Sequence, residues 1–188
     1  AIDRLKHSAD HSLANKYQSY RGLPVLRKAF ADWYARFFEV KIDHEREVLP
    51  LMGSKEGIMH ISMSLLNPGD EVLVPDPGYP SYRMTAALAG ATARFYDLRA
   101  EHDWLPDLDA LDRQDLSKVK LMWINYPHMP TGAKADLAFY QRLLAFAERN
   151  DLLICHDNPY VFILNDTPVS IFQVDGAKNR CIELVSLS

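Results

Sequence analysis

The chain has 188 residues, of which 48% are hydrophobic and 24% charged, and its formal net charge is -4. That is an ordinary globular composition, long enough for one domain with a sizeable core. The mild acidity gives no reason to expect nucleic acid or a membrane surface as partner, and no apolar stretch approaches the roughly 18–20 residues needed to span a bilayer.

The start, Ala1-Ile2-Asp3-Arg4-Leu5-Lys6-His7, is polar and mixed in charge, unlike a signal peptide. It lacks an initiator Met and reads as processed or truncated. Leu23, Leu26, Phe30, Trp33 and Phe37 recur at three- and four-residue steps, which predicts an amphipathic helix over residues 23–38 with Pro24 in its first turn. Val48 to Met52 reads as a short strand, broken by Gly53 and Ser54, and a helix follows to Leu66. Asn67-Pro68-Gly69-Asp70 signals a turn. Glu71 to Val74 is a buried strand, residues 80–89 a helix stopped at Gly90, and residues 91–97 a strand. A short helix over 107–113, a strand from Val119 to Ile124 and a long helix over 134–149 come next. Leu152 to Cys155 and Cys181 to Val185 are the last strands. Cys155 and Cys181 lie in apolar runs without CxxC spacing, and read as small buried hydrophobes in a reducing cytoplasm. Continuous apolar strands alternating with helices predict an α/β fold, a mostly parallel sheet with helices on both faces.

Ser54, Asp76, Asn125, Asp157 and Ser186 each fall just past a predicted strand. In an open parallel sheet those ends share one edge, where ligands bind, so five loops converge on one crevice. The motifs are weak one at a time. Gly53-Ser54-Lys55-Glu56-Gly57 is a phosphate-friendly helix start or a simple cap, and its glycine spacing is not that of a P-loop. Asp76-Pro77-Gly78-Tyr79-Pro80-Ser81-Tyr82 is a rigid turn with two aromatics. Asp157 alone is an ordinary turn or cap residue, and His128 alone a solvated loop histidine.

Taken in order and spacing, these segments, with Tyr126-Pro127-His128-Met129-Pro130-Thr131-Gly132 and Asp157-Asn158-Pro159-Tyr160, resemble the cofactor-binding large domain of a fold-type I, class I/II aminotransferase from about Tyr17 onward. The resemblance implies pyridoxal 5'-phosphate as cofactor. Ser54, Lys55 and Ser186 would hold its phosphate, Tyr79 would stack on its ring, Asp157 would pair with the protonated ring nitrogen, and Tyr160 would reach the phenolic oxygen. Tyr17 would reach the phosphate of a neighbouring subunit, so the site would lie at a homodimer interface. The implied partners are an amino acid and a 2-oxo acid, in a cytoplasmic enzyme. The implied organisation is an N-terminal inter-subunit segment, 1–22, and an incomplete cofactor-binding domain, 23–188, with the small domain missing. One position departs from the pattern. Met129 stands where the family carries an asparagine that donates to the phenolic oxygen, and methionine cannot donate. That oxygen then relies on Tyr160 alone, or His128 or Asn125 compensates.

The family's cofactor lysine follows a Ser-x-Ser tripeptide, and Ser186-Leu187-Ser188 closes the sequence. The lysine is expected next after Ser188, and without it the chain as given is expected to be inactive. Asp157-Asn158-Pro159-Tyr160 and the Tyr-Pro-x-x-Pro-Thr-Gly form are most similar to members acting on aspartate or diaminopimelate. Two alternatives stay open: a carbon–sulfur lyase or decarboxylase of the same fold, and a non-catalytic cofactor-binding domain of a regulator. A dinucleotide-binding domain is disfavoured, because no GxGxxG follows the first strand.

Overall fold

Strands β1 (Glu71–Asp76), β2 (Thr92–Asp97), β3 (Val119–Ile124), β4 (Leu153–Asn158) and β5 (Cys181–Val185) pair in parallel in the order β2-β1-β3-β4-β5. The structure is a computed structural model describing every residue except 1, 13, 15, 18, 164, 187 and 188. Gln18 of the Tyr17 segment, and Leu187 and Ser188 of the terminal tripeptide, thus lie outside the described residues. The helices are α1 (Ile2–Ala9), α2 (Pro24–Phe38), α3 (Ser54–Leu65), α4 (Pro80–Leu88), α5 (Leu108–Asp112) and α6 (Leu137–Arg149).

Side chains alternate across a strand, and each strand fills two faces. Val72, Val74, Leu121, Trp123 and Cys155 pack with Ile58 of α3 and with Tyr82 and Ala86 of α4. Leu73, Met122, Ile124 and Ile154 pack on the other side with Leu111 of α5 and Phe139, Leu143 and Phe146 of α6. Double-sided burial explains why these runs are apolar without alternation. Each fully buried Leu, Ile or Phe contributes about 1.5–3 kcal/mol before the entropy of ordering is subtracted.

Two expectations fail. Residues 48–52 are not a strand. Pro50 removes a ladder donor, Met52 is 94% exposed, and the Met52 N–H instead donates to Glu56 Oε2 at 2.6 Å, starting α3. The N-terminal residues form a helix, α1, that buries none of its side chains. Helix α6 begins three residues later than expected, because the Asp136 carboxylate accepts from Phe139 N at 2.7 Å and caps it there. Among the described residues no helix is long and apolar enough to cross a membrane.

The chain divides into two compact units, residues 1–36 with 41–50, and residues 37–40 with 51–188. In the first, buried Arg27 donates to the carbonyls of His44 and Gly22, each at 2.9 Å, and to Glu45 Oε2 at 2.8 Å. One guanidinium thereby ties together two segments, around Gly22 and around His44-Glu45.

The second unit holds the sheet and, within it, a buried polar network. His156 and Glu183 face each other in the β4–β5 register, with His156 Nδ1 2.9 Å from Glu183 Oε1. Glu183 also accepts from Asn158 Nδ2 at 3.1 Å and Ser170 Oγ at 2.6 Å. The other ring nitrogen lies 3.0 Å from the Tyr126 carbonyl, which can only accept. Both ring nitrogens therefore donate, and the pair is a buried imidazolium–carboxylate. Cys155 and Cys181 are free and buried, and burial pushes the Cys181 thiol up to about 12.

His128 is 3% exposed, not the solvated loop histidine expected. Its Nε2–H donates to the Pro77 carbonyl at 3.1 Å, and its Nδ1 accepts from the Thr131 hydroxyl at 2.7 Å. The residue staples the loop after β1 to the loop after β3. The proline-rich segment kept the ring out of water, a tertiary effect that no local pattern signals.

Two outcomes follow from these buried groups. Glu183→Ala leaves the imidazolium uncompensated and is expected to cost about 3–5 kcal/mol in urea unfolding. A loss below about 1 kcal/mol would show that the pair is not charged. Burial also holds His128 below the usual histidine range. Its contribution to stability is then complete above about pH 6.5 and declines as pH falls, because the unfolded chain protonates first, by at most about 1.4 kcal/mol per pH unit. His128→Gln is expected to flatten the stability profile between about pH 7 and pH 5, and parallel profiles for the two proteins would refute this assignment.

Candidate active site

β2 lies on one side of β1 and β3 on the other, so the chain reverses direction at the β1/β3 junction. Such a reversal opens a crevice at the carboxyl ends of the strands. The crevice here is a cleft of about 360 Å³ whose lining includes Ser54, Lys55, Tyr79, Asn125, Asp157, Tyr160 and Ser186. These are all the expected cofactor residues except Tyr17. Tyr17 belongs to the first compact unit, with its ring fully exposed. The convergence has a different basis at three of the five expected positions. Ser54 opens α3 without a strand before it, Asp157 lies inside the end of β4, and Asp76 is the last residue of β1 and does not line the cleft, while Asn125 and Ser186 follow β3 and β5.

The lining combines an anion-attracting part with an acidic one. The first is the start of α3, where Gly53 makes no side-chain cap. Helix starts leave backbone N–H groups without intrahelical partners, and the helix dipole adds partial positive charge. Gly53 adopts φ of 109°, which a side chain would strain. Lys55 adds a cation, its Nζ 5.9 Å from the Tyr79 ring centroid. Ser54 and Ser186 bring hydroxyls to the lining. This part suits an anion such as a phosphate ester.

The acidic part is Asp157, 4% exposed. Its Oδ2 accepts from the Tyr82 hydroxyl at 2.8 Å, and its backbone carbonyl accepts from Asn125 Nδ2 at 2.7 Å. Its Oδ1 is buried and has no partner among the described residues. Burial raises the carboxyl above the usual carboxylate range, against the opposing pull of the Tyr82 hydrogen bond and the His156 charge. An unpartnered buried carboxylate oxygen is costly unless a donor arrives. Tyr79 also lines the cleft, edge-on to Tyr82 at 5.7 Å. A flat ring that carries both an anionic group and an N–H donor fits this lining.

Two possible substitutes for the missing asparagine are already engaged. Asn125 Oδ1 accepts from Met129 N at 2.8 Å while its amide nitrogen holds Asp157. Both ring nitrogens of His128 are occupied by Pro77 and Thr131. Tyr82 was given no role from sequence. It stands three residues after Tyr79, at the start of α4, where such spacing puts two side chains on one face, and that was the available signal.

Comparison with known proteins agrees with this geometry. The family model for aminotransferase class I and II matches residues 1–188. The chain is 48% identical to an LL-diaminopimelate aminotransferase of Dehalococcoides mccartyi, over all of this chain and 49% of that protein. The substrate-bound BacF structure from Bacillus subtilis superposes with a TM-score of 0.94 at 37% identity, over 99% of this chain and 48% of that one. A structure of a probable N-succinyldiaminopimelate aminotransferase from Thermus thermophilus superposes with a TM-score of 0.90 at 35% identity, over 99% of this chain and 50% of that one. The chain thus spans about half the length of the relatives it matches. With the sheet, the cleft and the match along its whole length in agreement, the chain belongs to the aminotransferase class I and II family, whose cofactor is pyridoxal 5'-phosphate.

Proposed function

We propose that this chain supplies the cofactor-holding half of a pyridoxal-phosphate aminotransferase of the diaminopimelate type, moving an amino group between an amino acid and a 2-oxo acid. The observation that carries the reading is the buried, unpartnered Oδ1 of Asp157, in the same cleft as the uncapped start of α3. A protonated pyridine nitrogen supplies the donor that Oδ1 lacks, and a phosphate supplies the anion that α3 lacks. When bound, the cofactor provides the electron sink and the carrier of the amino group.

The rest is done by the chain. Asp157 keeps the ring nitrogen protonated, because its charge favours the cationic form. Ser54, Lys55 and Ser186 bind the phosphate and set the ring's position along the cleft. Tyr79 covers one face of the ring, a contact worth about 0.5–1.5 kcal/mol, and excludes water from it. Tyr160 donates to the phenolic oxygen. Asn125 acts indirectly, holding both the Asp157 carbonyl and the Met129 backbone. Residues 23–188 form the cofactor-binding region, and residues 1–22 form the segment by which Tyr17 reaches a second copy in a cytoplasmic homodimer. The lysine that carries the cofactor is expected next after Ser188. The diaminopimelate assignment is supported by the 48% identity to an enzyme of that name and by the Asp157-Asn158-Pro159-Tyr160 motif.

The test is to incubate the full-length gene product with pyridoxal phosphate, reduce it with borohydride and map the peptides. A phosphopyridoxyl lysine immediately after Ser188 is expected. With no adduct there, the non-catalytic cofactor-binding reading replaces this one. A second outcome concerns Met129. Met129→Asn restores a donor near the phenolic oxygen and is expected to tighten cofactor binding by about 0.5–1.5 kcal/mol in a spectrophotometric titration. Unchanged affinity would mean that Tyr160 already satisfies that oxygen.

A further inference from the structure

Tyr82 is wholly buried in α4, and its hydroxyl reaches across to Asp157 Oδ2, 2.8 Å away. Its ring is fixed on both sides. It stacks on Trp123 of β3 at 4.9 Å with planes 6° apart, and it meets the edge of Tyr79 at 5.7 Å. Trp123 is itself fully buried, and its carbonyl accepts from the Tyr96 hydroxyl at 2.7 Å. The phenol therefore has little freedom to turn away from the carboxylate. Asn125 fixes the same residue from the backbone side. Among the described residues, Asp157 is left with one oxygen bonded and one without a donor.

We infer that Tyr82 is a positioning residue that makes the two oxygens of Asp157 unequal, reserving Oδ1 for the cofactor nitrogen and keeping the carboxylate the weaker base of that pair. This rests on the cofactor assignment proposed above. A hydroxyl donated to Oδ2 withdraws charge from the whole carboxylate. The proton shared between Oδ1 and the ring nitrogen then stays on nitrogen. Without the hydroxyl the carboxylate becomes more basic in the same dry environment, and the proton moves toward oxygen. Tyr82 touches neither the proton nor the ring in this scheme. It acts through Asp157, and its effect is read at the nitrogen.

The test loads the full-length protein with pyridoxal phosphate carrying nitrogen-15 in the ring and records its chemical shift. Tyr82→Phe keeps the stacked ring and removes only the donor. The expected result is a shift moved toward the unprotonated pyridine value, with cofactor affinity roughly tenfold weaker. Tyr96→Phe is the control: it deletes another buried hydroxyl, so it costs stability, but its nitrogen signal stays at the wild-type value. A wild-type shift in Tyr82→Phe would overturn the inference while leaving the cofactor assignment intact. Failure of the wild-type protein to take up the cofactor would overturn both. Should Tyr82→Phe not fold, 3,5-difluorotyrosine placed at position 82 keeps the hydroxyl and strengthens it as a donor. The shift should then move further toward the protonated value, and no movement would refute the idea.

Discussion

Taking a carboxylate out of water costs several kcal/mol, and this fold places Asp157 where that cost is felt. Much of what surrounds the cleft can be understood as a response. Tyr82 donates to one oxygen and Asn125 holds the backbone behind it. One sheet position earlier, His156 brings a positive charge, anchored in turn by Glu183. None of these groups satisfies Oδ1. A structure that solvates a buried acid on all sides but one has left a place for something to bind.

The response is possible because of the parallel sheet. Parallel strands deliver their carboxyl ends to one edge, so β1, β3, β4 and β5 present loops that are distant in sequence to the same small volume. Alternation along a strand then sorts the neighbours by role. His156 looks toward Tyr140 on the α6 face, while Asp157 looks toward Tyr82 on the α4 face. Charge and acceptor are adjacent in sequence but on opposite sides of the sheet. The imidazolium therefore tunes Asp157 through the backbone layer without competing for its oxygens. His128 contributes mechanically by joining the loop that carries Tyr79 to the loop that carries Met129.

Much of this was legible in the sequence. Strands β1, β3 and β4 were visible because burial on both faces writes much of each as an unbroken apolar run, whereas β2, at the sheet edge, is largely exposed and mixed in polarity. The helix after Asp136 was visible from its spacing, although its start depended on a cap. Asn125 and Ser186 were recognisable because polar residues directly after such runs meet at one edge, whereas Ser54 reaches the cleft from a helix start and Lys55, Tyr79 and Tyr160 were legible only through the family resemblance. What stayed hidden was tertiary. Val48 to Met52 had the composition of a strand but found no neighbour, and Glu56 took its amide. His128 looked like a surface residue until a carbonyl 51 positions away claimed its ring. Tyr82 and Glu183 each read as unremarkable members of a helix and a strand. Their partners lie 75 and 27 residues away, beyond the reach of any local pattern.

The two buried thiols give the protein a gauge of its own integrity. Cys155 lies on the interior strand β4 and Cys181 at the start of the edge strand β5, and burial raises both thiols above the usual cysteine range. Thiols in that state ignore alkylating reagents until the strand around them opens. The interval before each one reacts measures how often that part of the sheet comes apart, interior strand and edge strand separately. A bound cofactor resting on β4 would lengthen the first interval more than the second, so occupancy of the cleft could be followed without any spectroscopic property of the ligand itself.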